Sequence, residues 1–119
     1  MKVPLIDLKR QYQTIKEEIK LAIDEVLESQ SFILGPKVEE FERLMADYND
    51  VNGAIGVSSG TDALLLSLMA LEIGKDDEVI TSAFTFGATV GVIQRLGAKP
   101  VFADIDPLTY NINPDLIER

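Results

Sequence analysis

Val57-Ser58-Ser59-Gly60-Thr61-Asp62-Ala63-Leu64 closes a short apolar run, passes through small hydroxyl residues and a glycine, and opens a long apolar helix. A helix start leaves its first backbone N–H groups without intrahelical acceptors, at the positive end of the helix dipole. Such a start is receptive to an anion. Gly60 lets the backbone approach an oxyanion with no Cβ in the way, and the hydroxyls of Ser58, Ser59 and Thr61 are potential hydrogen-bond donors. The same residue types are also ordinary N-caps. The segment alone therefore reads either as a cap or as a phosphate seat, and the surrounding sequence has to decide.

Downstream, the chain alternates. Ala54-Ile55-Gly56-Val57 reads as a first buried strand, and the helix after it runs over 61–73, stopped by Gly74. Glu78-Val79-Ile80-Thr81 reads as a second strand, 89–96 as a helix stopped by Gly97, and Pro100-Val101-Phe102-Ala103-Asp104 as a third strand. Strands and helices alternating at this length imply an α/β layer with parallel strands. Residues 62–71 are apolar nearly all round, so that helix is expected to be covered on several sides, between a sheet and another layer or subunit.

Upstream, a short extended start at 3–6 precedes an amphipathic helix over 11–27, with Ile15, Ile19, Ala22, Ile23, Val26 and Leu27 at three- and four-residue spacing. Gln30-Ser31-Phe32-Ile33-Leu34-Gly35-Pro36 is an apolar loop, and Pro36 suits the first turn of a second helix. That helix carries Val38, Phe41, Leu44, Met45 and Tyr48 on one face, and Glu39, Glu40, Glu42 and Arg43 read as its solvated side. Residues 1–53 thus form an N-terminal arm and helices, and 54–119 the start of a larger α/β domain. At the far end Asn113 and Pro114 have the composition of a helix cap and first turn, yet only five residues follow Pro114. A helix that short is marginal, and a three-strand parallel layer has unprotected edges. The sequence is read as an N-terminal piece of a longer protein.

A net charge of −9 with no basic run disfavours a nucleic-acid surface, and no apolar run approaches membrane-spanning length. With no signal-peptide pattern at the start, a cytoplasmic setting is expected. The chain has no cysteine and no histidine, which removes thiol chemistry, imidazole bases and most transition-metal sites. Chemistry here must use carboxylates, hydroxyls, lysines or a cofactor. Asp104 and Asp106 suggest a carboxylate pair, but Asp106-Pro107 reads as a turn and no third ligand accompanies them, so no metal is assigned. The seven lysines read as solvated surface groups. Ser82-Ala83-Phe84-Thr85-Phe86-Gly87-Ala88-Thr89 follows the second strand, at the edge where open parallel sheets gather ligands. Phe86 reads either as a plug over the core or as an aromatic face for a planar ring.

In order along the chain, Ser58 to Leu64, Asp77 to Thr81, Phe84-Thr85-Phe86-Gly87-Ala88-Thr89 and Gly97 to Asp106 resemble the DegT/DnrJ/StrS family of pyridoxal-phosphate-dependent nucleotide-sugar aminotransferases. Pro4-Leu5-Ile6-Asp7-Leu8, Phe32-Ile33-Leu34-Gly35-Pro36, Val38 and Phe41-Glu42 fit the same family. The resemblance spans essentially the whole chain. It implies the N-terminal portion of the large domain of an aspartate-aminotransferase-type (fold type I) PLP-dependent transferase, with the rest of that domain and a small C-terminal domain absent.

By position, the resemblance gives Gly60 and Thr61 to the phosphate of pyridoxal 5′-phosphate, lets Ser59 join them, and stacks Phe86 on the pyridine ring. Asp62 is expected to be a carboxylate favoured by the helix dipole and turned away from the phosphate. The implied reaction moves an amino group from glutamate to a nucleotide-linked keto-sugar in a homodimer with a shared active site, serving polysaccharide or antibiotic-type sugar synthesis. The Schiff-base lysine and the carboxylate on the pyridine nitrogen are implied to lie beyond Arg119, so no catalytic residue is assigned within this chain. A dehydratase of the same family, with histidine in place of that lysine, and a non-catalytic binding or regulatory module are the alternatives.

Overall fold

The computed structural model describes residues 5–117. Val3 and Pro4, half of the expected extended start, fall outside them. The chain divides into two compact units, Met1–Gly56 and Val57–Arg119. No helix among the described residues is long and apolar enough to cross a membrane.

The first unit holds two helices, α1 (Leu8–Ser29) and α2 (Pro36–Asn49). Asp7 caps α1 by accepting the Arg10 N–H at 3.1 Å, which moves the start three residues ahead of the apolar periodicity. Between the helices, a Cβ on Gly35 would sit 2.4 Å from the Ser31 carbonyl oxygen, so the loop closes only around glycine. The Gly35 carbonyl in turn accepts the Val38 N–H at 2.9 Å, and Pro36 takes the first helical position, where its missing N–H costs nothing. Lys37 bridges to Glu25 of α1 at 2.6 Å and to Glu40 at 3.4 Å. Only Ala46 is buried in these two helices, and the apolar stripe of α1 stays exposed.

The second unit runs α3 (Gly60–Ala70), β1 (Glu78–Ser82), α4 (Gly87–Arg95), β2 (Lys99–Ala103) and a 3₁₀ turn at Pro114–Leu116. The strands β1 and β2 pair in parallel, Glu78 opposite Lys99 through to Ser82 opposite Ala103, joined by α4 as the alternating pattern predicts. The buried side chains are Val92 and Ile93 of α4 with Ala98 and Ala103, so the core lies under α4. Asn113 accepts the Asp115 N–H at 3.0 Å as the expected cap, and the element it opens is a 3₁₀ turn.

One expectation is corrected. Residues 54–57 form no strand, so the described sheet has two strands and not three. A strand exists through its ladder, and here no neighbouring backbone pairs with this segment, which leaves Ile55 85 % exposed. Among the described residues α3 is left open, so the expected cover falls to another layer or subunit. None of its residues is buried, and Leu64, Leu66 and Met69 are exposed.

The end of α3 also differs from the expected stop at Gly74. The Ile73 N–H bonds the Leu68 carbonyl and the Glu72 N–H bonds that of Met69, a Schellman closure with Glu72 at φ 58°. After α4 the same closure, Ala98 to Ile93 and Gly97 to Gln94, places Gly97 at φ 83°. One closure puts a Cβ in the left-handed region and the other does not. Gly97→Ala is therefore expected to lower stability by about 1 kcal/mol and Glu72→Gly to raise it by roughly 0.5–1 kcal/mol, read as opposite shifts of the denaturation midpoint.

Candidate functional site

The start of α3 is set by Ser59, whose backbone is extended and whose hydroxyl accepts the Asp62 N–H at 3.1 Å. The same hydroxyl donates to Asp62 Oδ2 at 3.0 Å, and the Ser58 hydroxyl makes a short hydrogen bond to that oxygen. Asp62 is thus a carboxylate at the third helical position, as the sequence predicts, with both serine protons committed to it. The Ser58 hydroxyl foremost, and that of Ser59 after it, hold the Asp62 carboxyl below the usual aspartate range.

With the Asp62 N–H satisfied by the cap, the N–H groups of Gly60 and Thr61 donate to no acceptor among the described residues. The Thr61 hydroxyl has no partner there either, and a Cβ built on Gly60 meets nothing within 4 Å. Two backbone donors, one hydroxyl and open space at the positive end of a helix match the needs of a phosphate group. Ser59 joins such a group only by turning its one proton away from Asp62.

Phe86 stands at the entry to α4, one short loop after the carboxyl end of β1. Its carbonyl accepts the Thr89 N–H at 3.0 Å, and its ring is 81 % exposed, so it plugs nothing among the described residues. The loop before it is tightened by Ser82, whose hydroxyl accepts the Phe84 N–H at 3.0 Å, while the Thr85 and Thr89 hydroxyls pair at 3.0 Å across the first turn. An apolar cavity of about 170 Å³ is lined by Leu64 and Leu68 of α3, Thr81 of β1, and Thr89 and Ile93 of α4. Leu64 and Thr89 each lie in the opening turns of their helices, so the two helix starts flank the same face of β1. None of Gly60, Thr61 and Phe86 lines that cavity; each stands near the start of its own helix in the second unit.

Asp106 forms a turn, accepting from the Thr109 N–H at 2.8 Å, the Leu108 N–H at 2.9 Å and the Thr109 hydroxyl at 3.1 Å. These bonds, led by that from the Thr109 backbone, hold its carboxyl low. The turn folds 105 against 112 and brings Tyr110 to a ring-centroid distance of 5.9 Å from Phe84, a contact that no periodicity in the sequence announces. Sequence patterning also missed Glu42. Placed on the solvated side of α2 by its charge, it instead accepts the Gly56 N–H at 2.6 Å, and the only hint was its place in the Phe41-Glu42 pair.

A parallel β–α–β unit with an open helix start and an exposed aromatic ring at the next helix defines an α/β protein. The chain belongs to the DegT/DnrJ/EryC1/StrS aminotransferase family, whose model matches residues 13–119. Its fold is accordingly that of the N-terminal part of these enzymes. It is 50 % identical over 118 residues, 99 % of this chain and 32 % of the relative, to a pleiotropic regulatory protein of Geobacillus stearothermophilus. Over 116 residues, 98 % of this chain and 32 % of the relative, it is 47 % identical to UDP-2-acetamido-2-deoxy-3-oxo-D-glucuronate aminotransferase of Pseudomonas aeruginosa.

Among solved structures, a DegT/DnrJ/EryC1/StrS aminotransferase from Brucella abortus superposes with a TM-score of 0.94 at 40 % identity, covering 98 % of this chain and 31 % of that one. NtdA of Bacillus subtilis, with bound cofactor PMP, gives 0.91 at 38 %, covering 98 % and 27 %. A GDP-4-keto-6-deoxymannose-3-dehydratase with a trapped PLP-glutamate geminal diamine gives 0.74 at 35 %, covering 79 % and 26 %. The chain spans about a third of the length of the curated relatives it matches.

The carboxylate at the α3 start titrates in a direction set by geometry. Its pKa is depressed on folding, so its network adds stability above the ordinary aspartate pKa of about 3.9 and loses it as pH falls through the folded value. In a carboxyl NMR titration, Ser58→Ala is expected to move the Asp62 midpoint up toward the ordinary value. An unmoved midpoint contradicts the hydrogen-bond assignment.

Proposed function

We propose that this chain is the cofactor-anchoring N-terminal part of a pyridoxal-phosphate-dependent sugar aminotransferase. The observation that carries the reading is the pair of free N–H groups at Gly60 and Thr61, with Phe86 uncovered at the start of the next helix, in a chain whose family model describes aminotransferases. The Gly60 and Thr61 N–H groups and the Thr61 hydroxyl bind the phosphate, which fixes one end of the cofactor. Phe86 would offer its face to the pyridine ring, orienting it and shielding that side from water. Asp62 stays locked by Ser58 and Ser59, so that its charge is held in hydrogen bonds and not turned on the phosphate. When bound, the cofactor supplies the electron sink for amino transfer from glutamate to a nucleotide-linked keto-sugar.

The Schiff-base lysine is assigned outside residues 1–119. Of the described lysines, Lys37 is engaged by Glu25 and Glu40, and Lys99 opens β2 and pairs with Glu78 at 2.6 Å. Neither lies at a carboxyl strand edge. Lys9, Lys16 and Lys20 are on α1, and Lys75 precedes β1. A homodimer with a shared active site, and a cytoplasmic setting, complete the proposal. The uncovered apolar faces of α1 and α3 are consistent with further layers and a partner subunit.

The complete gene product, given pyridoxal phosphate, L-glutamate and a UDP- or dTDP-linked keto-sugar, is expected to yield 2-oxoglutarate and the amino sugar in equal amounts. A sugar that loses a hydroxyl without gaining nitrogen points instead to a dehydratase. Cofactor binding with no turnover points to a regulatory module. Because the Gly60 Cβ position is open within the protein, Gly60→Ala is expected to leave the fold intact while weakening pyridoxal phosphate binding by on the order of tenfold, its methyl group holding the phosphate off the N–H groups. Unchanged affinity in a fluorescence titration contradicts the phosphate assignment.

A further inference from the structure

We infer that Asn52 is a site of spontaneous covalent modification, at which the Gly53 nitrogen closes onto the side-chain amide and the residue becomes aspartate or isoaspartate, independently of any cofactor. Asn52-Gly53 follows the end of α2. That helix closes through the Asp50 N–H on the Asp47 carbonyl and the Val51 N–H on that of Ala46, and there the hydrogen bonding stops. The N–H groups of Asn52 and Gly53 and the Asn52 side chain have no partner among the described residues. Both residues are exposed, with Asn52 in a bend. A Cβ built on Gly53 meets no atom beyond its chain neighbours within 4 Å, and its φ lies outside the left-handed region. Nothing in the fold therefore calls for glycine here, and what the glycine does supply is a backbone nitrogen with no side chain to screen it.

The Gly53 nitrogen loses its proton to solvent and attacks Cγ of Asn52. The new N–Cγ bond closes a five-membered imide, the Cγ–Nδ2 bond breaks, and the side-chain nitrogen takes up a proton and leaves as ammonia. Water then opens the imide. Cleavage of the N–Cγ bond gives aspartate, whereas cleavage between the nitrogen and the Asn52 carbonyl carbon gives isoaspartate, with the backbone rerouted through the side chain. In sum water is consumed and ammonia released, with no oxidation or reduction. The attack needs rotation about the Asn52 Cα–C bond, which a hydrogen-bonded helix or ladder blocks and an unpaired bend allows. Each of the other three asparagines fails a requirement. Asn49 ends α2, its side-chain amide donates to the Met45 carbonyl at 2.8 Å, and the next N–H is bonded to Asp47. Asn111 precedes Ile112, which is β-branched and bridged to Ile105. Asn113 precedes Pro114, whose nitrogen has no proton to lose. Conversion at Asn52 adds a negative charge close to Asp50, and the isoaspartate form also lengthens the backbone that leaves α2.

The test is incubation of the complete gene product in mildly alkaline buffer at physiological temperature, beside Gly53→Ala and a synthetic peptide of residues 46–56, with tandem mass spectrometry at intervals. A gain of about 1 Da is expected at Asn52, divided between two products of equal mass that separate by chromatography. Conversion there is expected to outpace that at Asn49 and Asn111 by on the order of tenfold. It is also expected to run within about threefold of the free peptide, because no local opening has to precede it. Gly53→Ala, whose methyl group has room in the fold, is expected to slow conversion by on the order of tenfold. An Asn52 that stays intact in the protein while the peptide converts overturns the inference, because the fold then protects it. Equal rates at Asn52 and Asn49, or a Gly53→Ala rate equal to wild type, overturn it as well.

Discussion

The exchange of hydrogen bonds between Ser59 and Asp62 at the start of α3 is the constraint on which the candidate site depends. Ser59 accepts from the Asp62 N–H and donates to its carboxylate, so the third helical position is satisfied from within while the first two are left open. A tighter cap would have consumed the donors at Gly60 and Thr61. A looser one would have left the helix start without a fixed direction, and the dipole aimed at nothing in particular. Ser58 donates a second hydrogen bond to the same carboxylate, which favours the ionised form of Asp62 and keeps it occupied. The sequence order Ser-Ser-Gly-Thr-Asp thus separates two tasks: the serines and the aspartate hold the turn, and the glycine and threonine face outward.

The second unit supplies the frame for that turn. Parallel pairing of β1 with β2 forces the chain to cross over through α4, whose start lies just past the carboxyl end of β1 and whose end brings the chain back to the amino edge where β2 begins. Burial is concentrated under that crossover, at Val92, Ile93, Ala98 and Ala103. Elsewhere apolar surface exceeds what the two units cover. Ile55, the outer residues of α3 and Phe86 are all open, which suits surfaces meant for other layers or for a ligand.

How legible the fold and site were differs from residue to residue, for physical reasons. Helices α1, α2 and α4 and strands β1 and β2 were readable because their periodicity and caps are local, and their bounds shifted by at most three residues. Residues 54–57 have the composition of a strand, but a strand is completed by a neighbour, and composition says nothing about whether a neighbour is present. Gly74 was an incorrect stop for α3 because the Schellman closure can place a glutamate, Glu72, at the left-handed position when the two closing hydrogen bonds outweigh its strain. At the site, the open helix start followed from residue types. The commitment of both serine protons to Asp62 did not, since hydroxyl direction is decided by the nearest charge and not by sequence. Glu42 was hidden for a related reason: a charge on a polar helix face reads as solvated until the backbone segment it meets is in view.

The central claim is that the start of α3 holds the phosphate of pyridoxal phosphate. A crystal structure of the complete gene product grown with pyridoxal phosphate tests it most directly. The account places the phosphate within hydrogen-bond distance of the Gly60 and Thr61 N–H groups and the Thr61 hydroxyl, with the Phe86 ring against the pyridine. A phosphate bound elsewhere, with the α3 start facing only water, would contradict it.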